Sequence, residues 1–361
     1  MTPRAALPLV TFLVASPQGD LPYAPEMADV PLEGCPLSTT YGEYFAGLRD
    51  FCLGPGLGAL RDAAGAVAGR EVAAGDVTEL VVTAQKHGAL YHPASIEVRF
   101  PGGAAVLGAN VATAPHGWAA LAREFEALSR LARERPGAGL PRPLCYEEGD
   151  RLDMLLVDWF SGFHEFHAAR GGGLVVWDFE GGGVHPLDRD TAGEAYRQAA
   201  RILALALDVE SGARIWPWRH AAGDFVIRPG GGPGSRTDVR LITARGYAPS
   251  ASGGGEAGLL HFFLTTTLFM RLDRLDGVGE RVFLPPWCLA AAVEGMLDAL
   301  GQRPEVHRHI PDFTAALGRV TPDAWRSLLA ADADFCSDPD AVFLQEHLPG
   351  HLSELSGILQ P

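Results

Sequence analysis

Lysine is almost missing from this chain. Of 29 basic residues, Lys86 is the single lysine and the others are arginine. Arginine therefore serves wherever either cation will do, and the one lysine kept is a candidate for a task that needs a compact ammonium, such as contact with a phosphate. Cysteine is scarce as well. Cys35, Cys52, Cys145, Cys288 and Cys336 are odd in number and widely spaced, which excludes a CxxC metal pair and a disulfide framework. They read as small buried hydrophobes of a protein in the reducing cytoplasm. No apolar run reaches the length that spans a bilayer, so no membrane partner is expected. The stretch Ala5 to Ala15 is broken by Pro8 and reads as a buried strand or packed arm, not as a leader. A formal charge of -15 leaves no basic excess for tracking a phosphate backbone, so no nucleic-acid partner is expected. No Gly-Lys-Ser/Thr follows the glycine clusters and no G-x-S-x-G occurs, which removes the P-loop and the serine-hydrolase elbow.

What is present is a globular composition, 47% apolar and 20% charged, with 361 residues to build one large two-lobed domain. Residues 1–75 read as an extension, with a helical pattern through Tyr44, Leu48, Leu57 and Leu60 and a Gly/Ala-rich stretch at 54–75 that is a loose connection or weak helix. From Val77 the pattern turns to short β-branched runs. Thr78 to Thr83, Ile96 to Phe100 and Ala104 to Val111 read as three strands, the second with clean alternation. A helix follows from about Gly117 to Glu134, with Leu121, Phe125, Leu128 and Leu131 on one stripe and Pro136-Gly137 as its stop. Residues 151–160 are a further apolar strand. Beyond them the chain is mainly helical, at 190–208, 255–275, 287–301, 311–318 and 322–331. Short strands at Asp224 to Arg228 and Asp238 to Ile242 interrupt it, and the glycine patches at 171–173, 181–183, 230–234 and 253–255 read as loops.

The segment Arg123 to Gly162 (REFEALSRLARERPGAGLPRPLCYEEGDRLDMLLVDWFSG) resembles the helix, connection, strand and hinge of the aminoglycoside phosphotransferase and choline kinase family. The resemblance implies an α+β, bilobal protein-kinase-like fold, with an antiparallel-sheet N-lobe at 76–160, a mainly helical C-lobe at 161–361 and residues 1–75 as an N-terminal extension. Glu124 stands where the family's helix glutamate pairs with a strand lysine. Asp158, Trp159 and Phe160 stand at the hinge that faces adenine. The cofactors implied are ATP and Mg²⁺.

A second match runs from Trp216 through Gly223-Asp224 to Phe225-Val226-Ile227, and resembles the family's catalytic loop with Asp224 as the metal-ligand position. The rest of that signature is degraded. The catalytic aspartate position falls on Arg219, which accepts no proton. The metal aspartate after the strand Val239 to Ile242 is replaced by Thr243-Ala244-Arg245, and the third-strand lysine position falls on Gly108. Lys86, entering the loop KHGALYHPAS, could supply an ammonium from a neighbouring strand and pair with Glu124. His220 and Asp224 are the candidate catalytic residues, with His87, His92 and Arg245 as further charge. Each has a plainer reading: Asp224 as a turn cap, Glu124 as a solvated helix position, the histidines as surface or satisfied core groups, Trp216 and Trp218 as packing.

Three functions follow as alternatives. One is a pseudokinase-like, catalytically impaired protein acting by nucleotide or partner binding. Another is an unconventional ATP-dependent small-molecule phosphotransferase using Lys86, Glu124 and Asp224. The last is a structural interaction module without a nucleotide site, and the partner is then a protein.

Overall fold

The computed structural model describes residues 7–16, 19–32, 39–73, 75–85, 90–178, 183–218, 221–230, 236–250, 252–277, 279–330, 338 and 340–359. The chain divides into two compact units, residues 1–132 with 141–161, and residues 133–140 with 162–361.

In the first unit, β1 (Leu9–Val14) and β2 (Leu21–Pro22) precede two helices, α1 (Tyr41–Leu53) and α2 (Gly56–Ala68). Three strands follow, β3 (Glu79–Ala84), β4 (Ala94–Phe100) and β5 (Gly103–Ala112), then helix α3 (Pro115–Glu134) and strands β6 (Pro143–Glu147) and β7 (Asp153–Asp158). They form one seven-stranded sheet in the order β2-β1-β3-β4-β5-β7-β6. Only β1 against β3 is parallel; the other neighbours are antiparallel. Three antiparallel strands, a helix, and two strands of which the second returns beside the third is the kinase-like plan expected from the sequence. The stretch that imitates a leader is β1, which extends that sheet.

Alternation decides which face of this sheet is sealed. Ala94, Ile96 and Val98 of β4 and Ala105, Leu107, Ala109 and Val111 of β5 are buried in one cluster with Tyr44, Phe45 and Leu48 of α1 and Leu60, Ala63 and Ala64 of α2. The period-2 residues between them, Ser95, Glu97, Val106 and Asn110, are half-buried on the opposite face. A capping box starts α1, where the Thr40 side chain accepts from the Glu43 backbone and the Glu43 carboxylate accepts from the Thr40 N–H.

The second unit is mainly helical around a smaller sheet. Strands β8 (His164–Ala168), β9 (Leu174–Asp178) and β10 (Gly183–Pro186) lead to helix α4 (Arg189–Ala206) and β11 (Ala213–Ile215). After a kinked turn come the hairpin β12 (Phe225–Arg228) and β13 (Asp238–Leu241), and β14 (Tyr247–Pro249), which pairs with β11. The five-stranded sheet runs β10-β9-β8-β12-β13. Helix α5 (Gly255–Phe269), the hairpin β15 (Leu272–Arg274) and β16 (Arg281–Phe283), and helices α6 (Pro286–Leu300), α7 (Pro304–His309), α8 (Phe313–Arg319), α9 (Pro322–Ala330) and α10 (Ala341–Leu359) complete it. Helix α5 is apolar on every side and is buried from Leu259 onward except at Leu260, as a central helix must be. Helices α4 and α6 approach closely at Gly295, where an added Cβ would lie 1.9 Å from the Arg197 carbonyl oxygen. Among the described residues no helix is long and apolar enough to cross a membrane.

Candidate functional site

Strand β5 brings the first group of site residues to the half-open face of its sheet. Thr83, Ser95, Gly108 and Val157 are register partners in a row across β3, β4, β5 and β7, so they share that face. Gly108 is where the strand lysine would stand. A Cβ there would lie 3.1 Å from Val157 Cγ2 and 3.4 Å from Trp159 Cε3, so a side chain needs Val157 to give by a few tenths of an ångström while Trp159 stands at ordinary contact. At the edge of the row the Gln85 amide donates to Ser95 Oγ at 3.0 Å. Lys86 and His87 come next and lie outside the described residues.

Glu124 is buried to 0% exposure on the stripe of α3 that holds Leu121, Leu128 and Leu131, so the solvated-position reading does not apply. Asp158 ends β7. Its carboxylate accepts from the Arg142 N–H and from Arg142 Nη2, each at 3.1 Å, and its own N–H donates to the Arg142 carbonyl. Phe160 is half-buried two residues on. His92 is a core group: its ring stands edge-on to Tyr44 at 5.0 Å, and its carbonyl accepts from the Tyr44 hydroxyl.

The second group lies in the other unit, on the loop between β11 and β12. Trp216 and Trp218 pack on Phe269 of α5, at 5.2 and 6.1 Å between ring centres, and Trp218 also meets Phe225. They are packing residues, as expected. Arg219 and His220 lie outside the described residues. Gly223 turns the chain at a φ of 86°, in the left-handed region that only glycine enters without strain, and so delivers Asp224 to the start of β12. The Asp224 carbonyl accepts from the Ile242 N–H at 2.9 Å, which ties it to the end of β13.

Three residues past that tie is Arg245. Its Nη1 donates to Asp224 Oδ2 at 3.0 Å and its Nη2 to Oδ1 at 2.5 Å. The side chains are 6% exposed for Asp224 and 22% for Arg245, so the pair is mostly out of water. A two-pronged guanidinium–carboxylate contact of this kind is the strong, directional form of an ion pair. It also answers the fit of Mg²⁺. Both oxygens of the one expected ligand are held by a fixed cation, and the partner carboxylate after β13 is this same arginine. Among the described residues no group of three or more His, Cys, Asp or Glu could hold a metal. The donor set does not fit a divalent cation.

Beside the turn sits a cluster that sequence reasoning missed. His167 of β8 is buried, with Nε2 3.5 Å from Glu165 and Nδ1 3.8 Å from Asp273 of β15, and its ring lies on Trp177 at 4.5 Å. Burial works against the charged ring, but Asp273 and Glu165 outweigh it and hold its pKa above the ordinary value. Asp273 is itself fixed, accepting from the Ala168 and Arg274 N–H groups at 2.6 and 2.7 Å. Its 106-residue separation from His167 leaves no local sequence signal. Arg214 of β11 is a buried cation, 3.0 Å from His261 Nδ1 and over the Trp216 ring.

No family model matches the chain, and no curated protein matches it. Among solved structures, the kinase domain of PF14_0431 aligns with a TM-score of 0.31 and 8% identity, over 78% of this chain and 89% of that one. Rad53 1-466 in complex with AMP-PNP aligns at 0.29 and 11%, over 76% and 62%. At scores this low neither likeness carries weight, and the fold rests on this chain's own topology.

Proposed function

We propose that this chain is a kinase-like protein that has given up phosphoryl transfer and acts by binding, as a pseudokinase. The observation that carries the reading is the Asp224–Arg245 pair. In the family the chain resembles, the Asp224 position serves a metal, and metal charge is what offsets phosphate charge in the transition state. Here Arg245, on the segment after β13, donates to both oxygens of that carboxylate. A guanidinium offers N–H donors, not the coordination sites for phosphate oxygens that a divalent ion provides.

Two further observations support the reading. The strand-lysine position falls on Gly108, which carries no side chain and lies close to Val157 and Trp159. The catalytic aspartate position is occupied by Arg219 in the sequence. The alternative is an unconventional phosphotransferase using Lys86, Glu124 and Asp224, of which Glu124 is fully buried on α3.

A transfer assay separates the two. The protein is incubated with ATP, Mg²⁺ or Mn²⁺ and a panel of amino, hydroxyl and guanidino acceptors, and phosphate transfer and ATP hydrolysis are followed. The proposal expects no turnover above that of an Asp224→Ala control. Sustained transfer abolished by Lys86→Ala or Asp224→Ala would establish the phosphotransferase instead.

A further inference from the structure

The turn of the β15–β16 hairpin is seated on β8 and β9. Asp276 and Gly277 take φ of 50° and 75° there, the left-handed conformations that an Asp-Gly pair supplies at a tight hairpin turn. The Gly277 backbone lies against two rings. A Cβ added to it would stand 2.9 Å from His167 Cε1 and Nε2 and 3.0 Å from Trp177 Cη2. Glycine is what lets the turn come this close. His167 also meets the turn ahead of Asp224, with Cε1 3.9 Å from where a Cβ of Gly223 would stand. One buried imidazole therefore meets two glycine turns from different parts of the chain.

Charge holds that imidazole more than hydrogen bonding does. Its nitrogens stand 3.5 Å from Glu165 and 3.8 Å from Asp273, at and beyond the limit of a hydrogen bond. Attraction across such gaps comes from the ring's proton, since a neutral imidazole offers a carboxylate little at that range. Asp273 cannot turn to water instead: its side chain is 2% exposed and is fixed by the Ala168 and Arg274 N–H groups. The other groups around the ring are of a different kind. Trp177 of β9 is uncharged, and Asp276 on the turn is exposed. The Arg274 guanidinium donates to the Gly279 carbonyl at 3.4 Å, and Asp224 beyond Gly223 is held by Arg245.

We propose that His167 is a proton-operated latch: its charged ring, held between Glu165 and Asp273, keeps the β15–β16 turn seated on β8, and loss of the proton frees that turn. The inference goes beyond the pseudokinase reading and does not rest on it. The raised pKa of the ring has the sign that a latch of this kind needs. The proton is kept above the ordinary histidine value of about 6.5, and the seated turn is lost as pH rises through the raised value.

The test is hydrogen exchange on the full native chain, His167→Gln and Glu165→Gln across the range pH 6 to 9, with rates corrected for the pH dependence of exchange itself. In the native chain the amides of residues 272–277 are expected to lose protection as pH rises, while those of α6 keep theirs. His167→Gln is expected to show the low protection at every pH. Glu165→Gln, with one of the two carboxylates gone, is expected to lose protection at a lower pH than the native chain. Turn protection that does not change with pH in the native chain would overturn the latch. Native-like protection in His167→Gln at pH 6 would do the same, and so would an equal loss in α6, which would mean that the whole unit loosens. If His167→Gln does not fold, Glu165→Gln carries the comparison, and a midpoint that stays at the native pH overturns the proposal.

Discussion

Arg245 and Asp224 are 21 positions apart and meet because a glycine turn and a hairpin end face each other, the Asp224 carbonyl receiving the Ile242 N–H. Truncation as Arg245→Ala leaves a carboxylate that is 6% exposed without its cation. Breaking a buried pair is far worse than lacking one, and with the arginine partly in water the loss is expected at about 2–4 kcal/mol in urea unfolding. Arg245→Lys is expected to recover less than half of it, since an ammonium cannot make the two-pronged contact. Equal stability of all three proteins would show that the pair is ornamental. Each partner of this pair is legible in the sequence as a departure from a pattern, aspartate for asparagine and arginine for aspartate. That the two departures compensate each other is not legible, because it depends on which way two loops point. Glu124 went the same way: its place on the helix was readable, its complete burial was not.

The strands β3 to β5 and β7 and the stripe of α3 were readable because alternation and 3.6-residue spacing are properties of the elements themselves. Strands β8 to β10 were not. Their glycine patches read as loops, and in part they are, since Gly171, Gly172 and Gly183 take positive φ at hairpin turns; the strands between are too short to declare a period. For α2 the Gly/Ala composition reads equally as a loose connection or a weak helix, and the helix is what forms. It forms because small residues let it lie close, with Gly56 against the Phe51 ring and Gly65 near the Arg70 carbonyl. Helix α10 carries Pro349 inside it, a residue that argues against a helix from sequence alone. The same logic of close approach governs α4 and α6. Gly295→Ala would drive a methyl to 1.9 Å from the Arg197 carbonyl oxygen, so the two helices must part. A loss of about 1–3 kcal/mol is expected, read as a lower denaturation midpoint with an unchanged slope. A neutral result would mean that the helices are not in contact at that turn.

At the scale of the whole molecule two buried histidines contribute to the pH response with opposite signs. His351 of α10 is fully buried, 3.3 Å from Thr267 Oγ1, and burial followed by the charge of Arg271 pushes its pKa down to about 3. The unfolded chain takes up this proton below the ordinary histidine value and the folded chain refuses it, so stability falls as pH drops from neutrality toward 3. His351→Leu is expected to gain on the native chain by about 3 kcal/mol between pH 7 and pH 4. A constant difference across that range would mean that the ring is charged in the fold. His167 works the other way. Its raised pKa gives stability that is complete below the ordinary value and lost as pH rises through the raised one. The penalty of His167→Gln is therefore expected to be larger at pH 5 than at pH 9, in urea melts at matched ionic strength.

If an arginine holds the place of a metal at Asp224, the melting temperature of the native chain does not respond to metal. The native chain, Arg245→Asp and Asp224→Ala are melted at a fixed high ATP concentration with and without Mg²⁺ or Mn²⁺, since a ligand of the folded state raises its melting temperature by mass action. No metal-dependent rise is expected in the native chain, and a rise is expected in Arg245→Asp, where two carboxylates converge in place of a carboxylate and a cation. A metal-dependent rise in the native chain that disappears in Asp224→Ala would contradict it.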